Sequence, residues 1–160
     1  MLFDDLAYNF HILKAMATHR KKGIDFVNSL LNQIIRHLVK IALYNERDRD
    51  IQVQGWEVEI LVWLDEIDYK CNNLKGNKSL TLKDYTLCLN DDLGNDGLMF
   101  RTIRNVKRKM SNVTLWVEIP PPDLRLLVYD ILQSQFKAMA QGKWSENLLL
   151  ENESYKQIKT

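Results

Sequence analysis

All three prolines of the chain stand side by side, at Pro120, Pro121 and Pro122, and only six glycines are spread through its 160 residues. Proline removes a backbone donor and glycine loosens the chain, so a sequence sparing of both leaves long segments with nothing to interrupt a helix. A many-turned β-sandwich is disfavoured on the same ground. With 46% hydrophobic residues the chain can bury one core, and 27% charged residues keep its outside soluble. The expectation is an all-α fold: one compact bundle of five or six helices over residues 1–144. A C-terminal tail over 145–160 follows, with room for a short docking helix.

Periodicity places the helices. Phe3, Leu6, Phe10, Leu13 and Ala17 share one face of a first helix. The run Arg20, Lys21, Lys22 and Gly23 is expected to end it, because cations suit a helix C-terminus and glycine takes the left-handed cap conformation. Asp25 then caps a second helix, with Val27, Leu31, Ile34, Leu38 and Ile41 inward and Leu30, Ile35 and Ala42 widening the stripe. The polar run Asn45 to Gly55 reads as a break. A third segment begins at Trp56, with Ile60, Leu64, Ile67, Cys71 and Leu74 on one face and Glu57, Glu59, Asp65, Glu66 and Asp68 as an acidic side. For residues 79–92 a short helix capped by Thr81, with Leu82, Tyr85 and Leu89 aligned, is preferred over an edge strand. Asp96 caps the next helix, whose Met99, Ile103, Val106, Met110, Val113 and Val117 keep step until the prolines. Asp123 is expected to cap a last long helix carrying Leu124, Val128, Ile131, Leu132, Phe136 and Met139, closed by Gly142.

The fifth of these segments carries the strongest charge signal. Arg101 to Met110 holds five cations and no acid, in a chain whose net charge is only +1. At about 100° per residue from Met99, Arg101, Arg104 and Arg108 fall at about 200°, 140° and 180°, a single ridge facing away from the apolar stripe. Lys107 and Lys109 flank the ridge, and Ser111 and Asn112 extend it. Solvent faces ordinarily mix signs, since like charges three or four apart cost about 0.2 to 0.5 kcal/mol per pair. The compensating charge is either the acidic side of the third segment or a row of phosphates. Arg101, Arg104, Lys107, Arg108, Lys109 and Asn112 are therefore the candidate nucleic-acid contacts, with RNA or single-stranded DNA as the ligand.

Catalytic patterns are weak by comparison. His11, His19 and His37 lack metal-ligand spacing and read as helix-surface or capping residues, and neither Cys71 nor Cys88 has a CxxC partner. Cys88 reads as an inert thiol on an apolar face. Asp65, Glu66 and Asp68, or Asp91, Asp92 and Asp96, are candidate carboxylate clusters for a metal, a distant alternative. The run NDDLGNDG lacks the lysine and spacing of a phosphate loop. Trp56, Trp63, Trp116 and Trp144 read as packing residues, with Trp116 also placed to stack on a base. No catalytic residue, metal or cofactor is expected.

His37-Leu38-Val39-Lys40, then Tyr44, Gly55-Trp56 and Ile60, resemble the signature of the bacterial domain-of-unknown-function family numbered twenty-nine. That resemblance implies a small helical bundle and no particular activity. In length, helix content and possession of a basic face the chain is also similar, at the level of architecture alone, to the helical small subunits of CRISPR effector complexes. Nucleic-acid-binding domains usually have a pI above about 9, and this chain's is near 7.7. The expectation is a non-enzymatic binding module held among other protein subunits or copies of itself. A protein-interaction module is the alternative. Without an apolar run of membrane-spanning length, and with only two cysteines, the expected setting is cytoplasmic.

Overall fold

The structure, a computed structural model, describes the backbone of residues 2–44, 47–72, 80–93, 98–109 and 121–160. It describes the side chains of 20–44, 47–72, 80–90, 101–105, 108 and 123–160. Seven helices and no strand form among the described residues: α1 (Leu2–Leu43), α2 (Arg49–Asn72), α3 (Leu82–Leu93), α4 (Leu98–Lys109), α5 (Pro121–Ala140), α6 (Glu146–Leu150) and α7 (Glu153–Lys159). The all-α bundle is as expected. Helix α1 is its axis, packing on α2, α3, α4, α5 and α7.

The largest departure from expectation is in α1, which runs through Gly23 without a break. A glycine inside a helix costs about 1 kcal/mol relative to alanine. Tertiary packing overrides that local cost here. Gly23 is buried, and the Cys71 Sγ at the end of α2 lies 3.9 Å from its carbonyl oxygen. The Arg20 guanidinium does not cap a C-terminus; it reaches α3, where its Nη2 donates to Asp84 Oδ1 at 2.6 Å. Asp25 is an exposed residue inside the helix. Val27, Leu31, Ile34, Ile35, Leu38 and Ile41 are fully buried, so the predicted stripe faces the core.

Helix α2 begins seven residues before Trp56, inside the run expected to break the pattern. Its start is held by Arg49, which donates to the carbonyls of Tyr44 (2.9 Å), Ile41 (3.2 Å) and Ile158 (3.4 Å). One side chain thus satisfies orphan carbonyls at the ends of both α1 and α7. Val53 joins Ile60, Leu64, Ile67 and Cys71 in the core.

Residues 82–93 are helical, and Thr81 caps them reciprocally. The Asp84 amide donates to Thr81 Oγ1 at 3.3 Å, and the Thr81 amide donates to Asp84 Oδ2 at 2.9 Å. Tyr85 then stacks on Phe136 of α5, ring centroids 4.8 Å apart. Helix α5 starts at Pro121, so Asp123 lies in its first turn and does not cap it. Proline suits the first turn because its missing amide hydrogen would have no intrahelical partner there. Gly142, at φ +67°, closes α5: its amide donates to Met139 O at 3.0 Å and that of Lys143 to Ala138 O at 2.8 Å.

The last sixteen residues form two helices that contribute Leu149, Tyr155 and Ile158 to the core. Buried Gln135 positions them, accepting from Trp144 Nε1 at 2.8 Å and donating to Leu148 O at 3.2 Å. The Asn152 side chain accepts from the Tyr155 amide to cap α7. Glu57 of α2 meets the Tyr155 hydroxyl and Lys159 Nζ, the latter at 2.8 Å.

Candidate nucleic-acid interface

Helix α4 is divided lengthwise by solubility. Thr102 and Ile103 are buried, at 3% and 5% exposure, while Arg101, Arg104, Asn105 and Arg108 are exposed. The buried side fixes the helix against α1, α3 and α5. Since residues three and four apart lie one above the other, the three arginines stand in one row. Lys107 and Lys109 belong to α4, but their side chains lie outside the described residues, as does all of Ser111 and Asn112. Asp96, Trp116 and the expected continuation of the helix to Val117 also lie outside them.

No acid among the described residues pairs with Arg101, Arg104 or Arg108. Three of the five acids of α2 considered as their intramolecular partners are engaged elsewhere, and exposed Asp65 and Glu66 form no ion pair with the described arginines of the ridge. Glu57 pairs with Lys159, Glu59 with His37, and Asp68 accepts from the Asn72 amide group at 2.7 Å. Helix α2 packs on α1, α5 and α6. What the ridge offers chemically is three forked cations on a rigid support, suited to the oxygens of phosphates or carboxylates.

A second cluster, between α1 and α2, gathers His37, Lys40, Tyr44 and Trp56, residues that the sequence marked as part of a family-like signature, with His37 expected at a helix surface or cap. His37 is 12% exposed and wedged edge-on between Trp63 and Trp56, at 4.8 Å and 6.4 Å between centroids. Its Nε2 meets Glu59 Oε2, and its Nδ1 is buried without a partner. Burial lowers the His37 pKa below the usual histidine value, outweighing the hydrogen bond and charge of Glu59. Lys40 sits 5.7 Å over the Trp56 ring, and Tyr44 packs on its edge at 5.4 Å. Trp56, Trp63 and Trp144 pack against the core as the sequence predicts. The seven-residue step between Trp56 and Trp63 puts both on one side of α2, a sequence signal for the aromatic part of the cluster.

The two cysteines are buried, and burial pushes the Cys71 thiol up to about 11. A thiol so protonated is a poor nucleophile. Tyr85 has a buried hydroxyl with no hydrogen-bond partner, and burial raises its pKa strongly. Among the described residues no three His, Cys, Asp or Glu side chains are grouped to hold a metal, and no helix is long and apolar enough to cross a membrane. No family model matches the chain, and neither a curated protein nor a solved structure matches it.

Proposed function

We propose that this chain is a non-enzymatic helical module that contacts nucleic-acid phosphates through the outer face of α4 while held in a larger complex. One observation carries the reading: Arg101, Arg104 and Arg108 are exposed in a row with no acid among the described residues to neutralise them. Such a row repels itself by about 0.2 to 0.5 kcal/mol per neighbouring pair, and phosphates spaced along a strand relieve that repulsion. The buried Thr102 and Ile103 hold the row straight, and arginine matches phosphate oxygens with two parallel hydrogen bonds. Lys107, Lys109 and Asn112 extend the proposed interface along the sequence. The near-neutral chain as a whole supports a place among other subunits, which supply further charge. Architecturally this is the role of the helical small subunits of CRISPR effector complexes, and the proposal extends to that class of role and to no particular pathway.

The test is fluorescence anisotropy of a labelled single-stranded RNA, and of the matching DNA, titrated with protein at several salt concentrations. Replacing Arg101, Arg104 and Arg108 together by alanine should weaken binding and flatten the slope of log affinity against log salt. About two to three units are expected, at about 0.7 to 0.9 for each phosphate that the variant no longer neutralises. Unchanged affinity and slope in the triple variant would overturn the proposal.

A further inference from the structure

Helix α2 has a second apolar stripe, opposite its buried one. Ile51, Val58, Val62 and Tyr69 are 73%, 55%, 49% and 73% exposed. Their spacing of seven, four and seven residues puts all four within about 20° of one line along the helix. That line lies about 180° from the one defined by Val53, Ile60, Leu64, Ile67 and Cys71. The stripe is therefore directed straight out from the bundle. From Ile51 to Tyr69 it extends about 27 Å, at about 1.5 Å per residue. Gly55, between Ile51 and Val58, has nothing within 4 Å of where a Cβ would stand, and leaves a notch in the stripe. Steps of three and four residues through Ile51, Gly55, Val58, Val62, Asp65 and Tyr69 are those of a two-helix seam.

The charges beside the stripe identify what fits it. Asp50, Glu59, Asp65 and Glu66 are exposed on this helix. Its two cations are engaged elsewhere, Arg49 on three carbonyls and Lys70 with its Nζ 4.1 Å over the Phe26 ring. A second copy of the chain docked here would set acids against acids, which costs affinity and selects against that pairing. Nucleic acid and anionic lipid surfaces are repelled for the same reason.

We infer that the outer face of α2 is a docking surface for an amphipathic helix of a partner protein, one whose apolar stripe is bordered by Lys and Arg. The partner's apolar side chains cover Ile51, Val58 and Val62, and its cations meet Asp65 and Glu66 on either side. The mode is that of a helix laid against a helix, with apolar residues supplying affinity and charge supplying selectivity. The surface is independent of the α4 ridge, so it stands or falls separately from the nucleic-acid proposal.

The probe is a synthetic amphipathic helix of leucine and lysine about 18 to 21 residues long, matched in length to the stripe. Its control has the same leucine pattern with glutamate in place of lysine. Isothermal titration of the full chain should show one site for the lysine peptide and none for the glutamate peptide. Replacing Val58 and Val62 with serine should weaken the lysine peptide by about tenfold or more, as should D65K/E66K. Both pairs are exposed, and far-UV circular dichroism should confirm that the variants keep their helix content. Equal binding of the two peptides, or of the lysine peptide by wild type and by V58S/V62S, would overturn the inference. So would sedimentation showing a dimer of the chain that V58S/V62S dissolves, since the occupant would then be a second copy.

Discussion

Helices α2 and α4 each turn one face to solvent, and the contrast between those faces separates what folding requires from what it does not. On α4 the division is simple: Thr102 and Ile103 go inward and the arginines outward. Burial explains its inner side, and only the uniform sign of its charge asks for a partner. On α2 both sides are apolar. The inner line of Val53, Ile60, Leu64, Ile67 and Cys71 stabilises the fold, whereas Ile51, Val58 and Val62 stay about half exposed or more. On the two proposals, the outward arginine row takes an anionic ligand and the outward apolar row bordered by acids takes a cationic one.

The sharpest test of the contrast lies within α2 itself. Leu64→Ala, on the inner line, should cost about 2 to 5 kcal/mol in chemical denaturation, because a buried leucine leaves a cavity behind it. Val62→Ala, on the outer line, should stay within about 0.5 kcal/mol. A large loss at Val62 would mean that the outer stripe is part of the fold.

Asp84 comes next in size. Its carboxylate accepts from the Thr81 amide and hydroxyl at the start of α3 and bonds Arg20 of α1, and the residue is 4% exposed, so Asp84→Ala should destabilise by about 1 to 3 kcal/mol. Burial raises its pKa, but the Thr81 amide and then Arg20 outweigh burial and leave it below the usual aspartate value. The folded state therefore binds fewer protons than the unfolded one near pH 3.8. Its stabilisation is present above that pH and is lost as pH falls through the lowered folded value. A wild-type and variant pair whose stability difference stays constant down to pH 2 would break this assignment.

Gly142→Ala should cost about 1 kcal/mol, since a side chain at φ +67° is strained whatever the space around it. His37 gives a smaller, pH-dependent effect. Its folded pKa is below 6.5, so the unfolded state takes up protons first, and stability should decline as pH falls from 6.5 toward the lowered value. Replacing His37 with Gln should remove that decline. Denaturation midpoints at pH 7 and pH 5 check it.

The inner faces were legible in the sequence because burial leaves a period behind. Val27 to Ile41, Ile60 to Cys71 and Leu124 to Met139 all lie where their spacing predicts. Where local signals failed, a distant side chain had overridden them. Gly23 reads as a helix end until Cys71, from another helix, is packed against it. Arg49 sits in a polar run whose helical state depends on three carbonyls, one of them at Ile158. The C-terminal helices are docked by Gln135, Trp144 and Glu57, through hydrogen bonds that no spacing displays. Arg101, Arg104 and Arg108 were legible as a ridge because the same arithmetic applies to charges. The outer stripe of α2 was not, because Glu59, Asp65 and Glu66 beside Val58 and Val62 made that part of the helix read as an acidic solvent side.

The most direct measurement titrates one labelled single-stranded oligonucleotide into three proteins across a range of salt: wild type, R101A/R104A/R108A and V58S/V62S. If the α4 ridge contacts phosphates, the arginine variant loses affinity and about two to three units of salt slope, with thermal stability unchanged or slightly raised as like-charge repulsion is relieved. The valine variant should match wild type throughout. An arginine variant that unfolds more easily and keeps the wild-type salt slope would contradict the phosphate-binding role, because its arginines would then be holding the fold together and not contacting a strand.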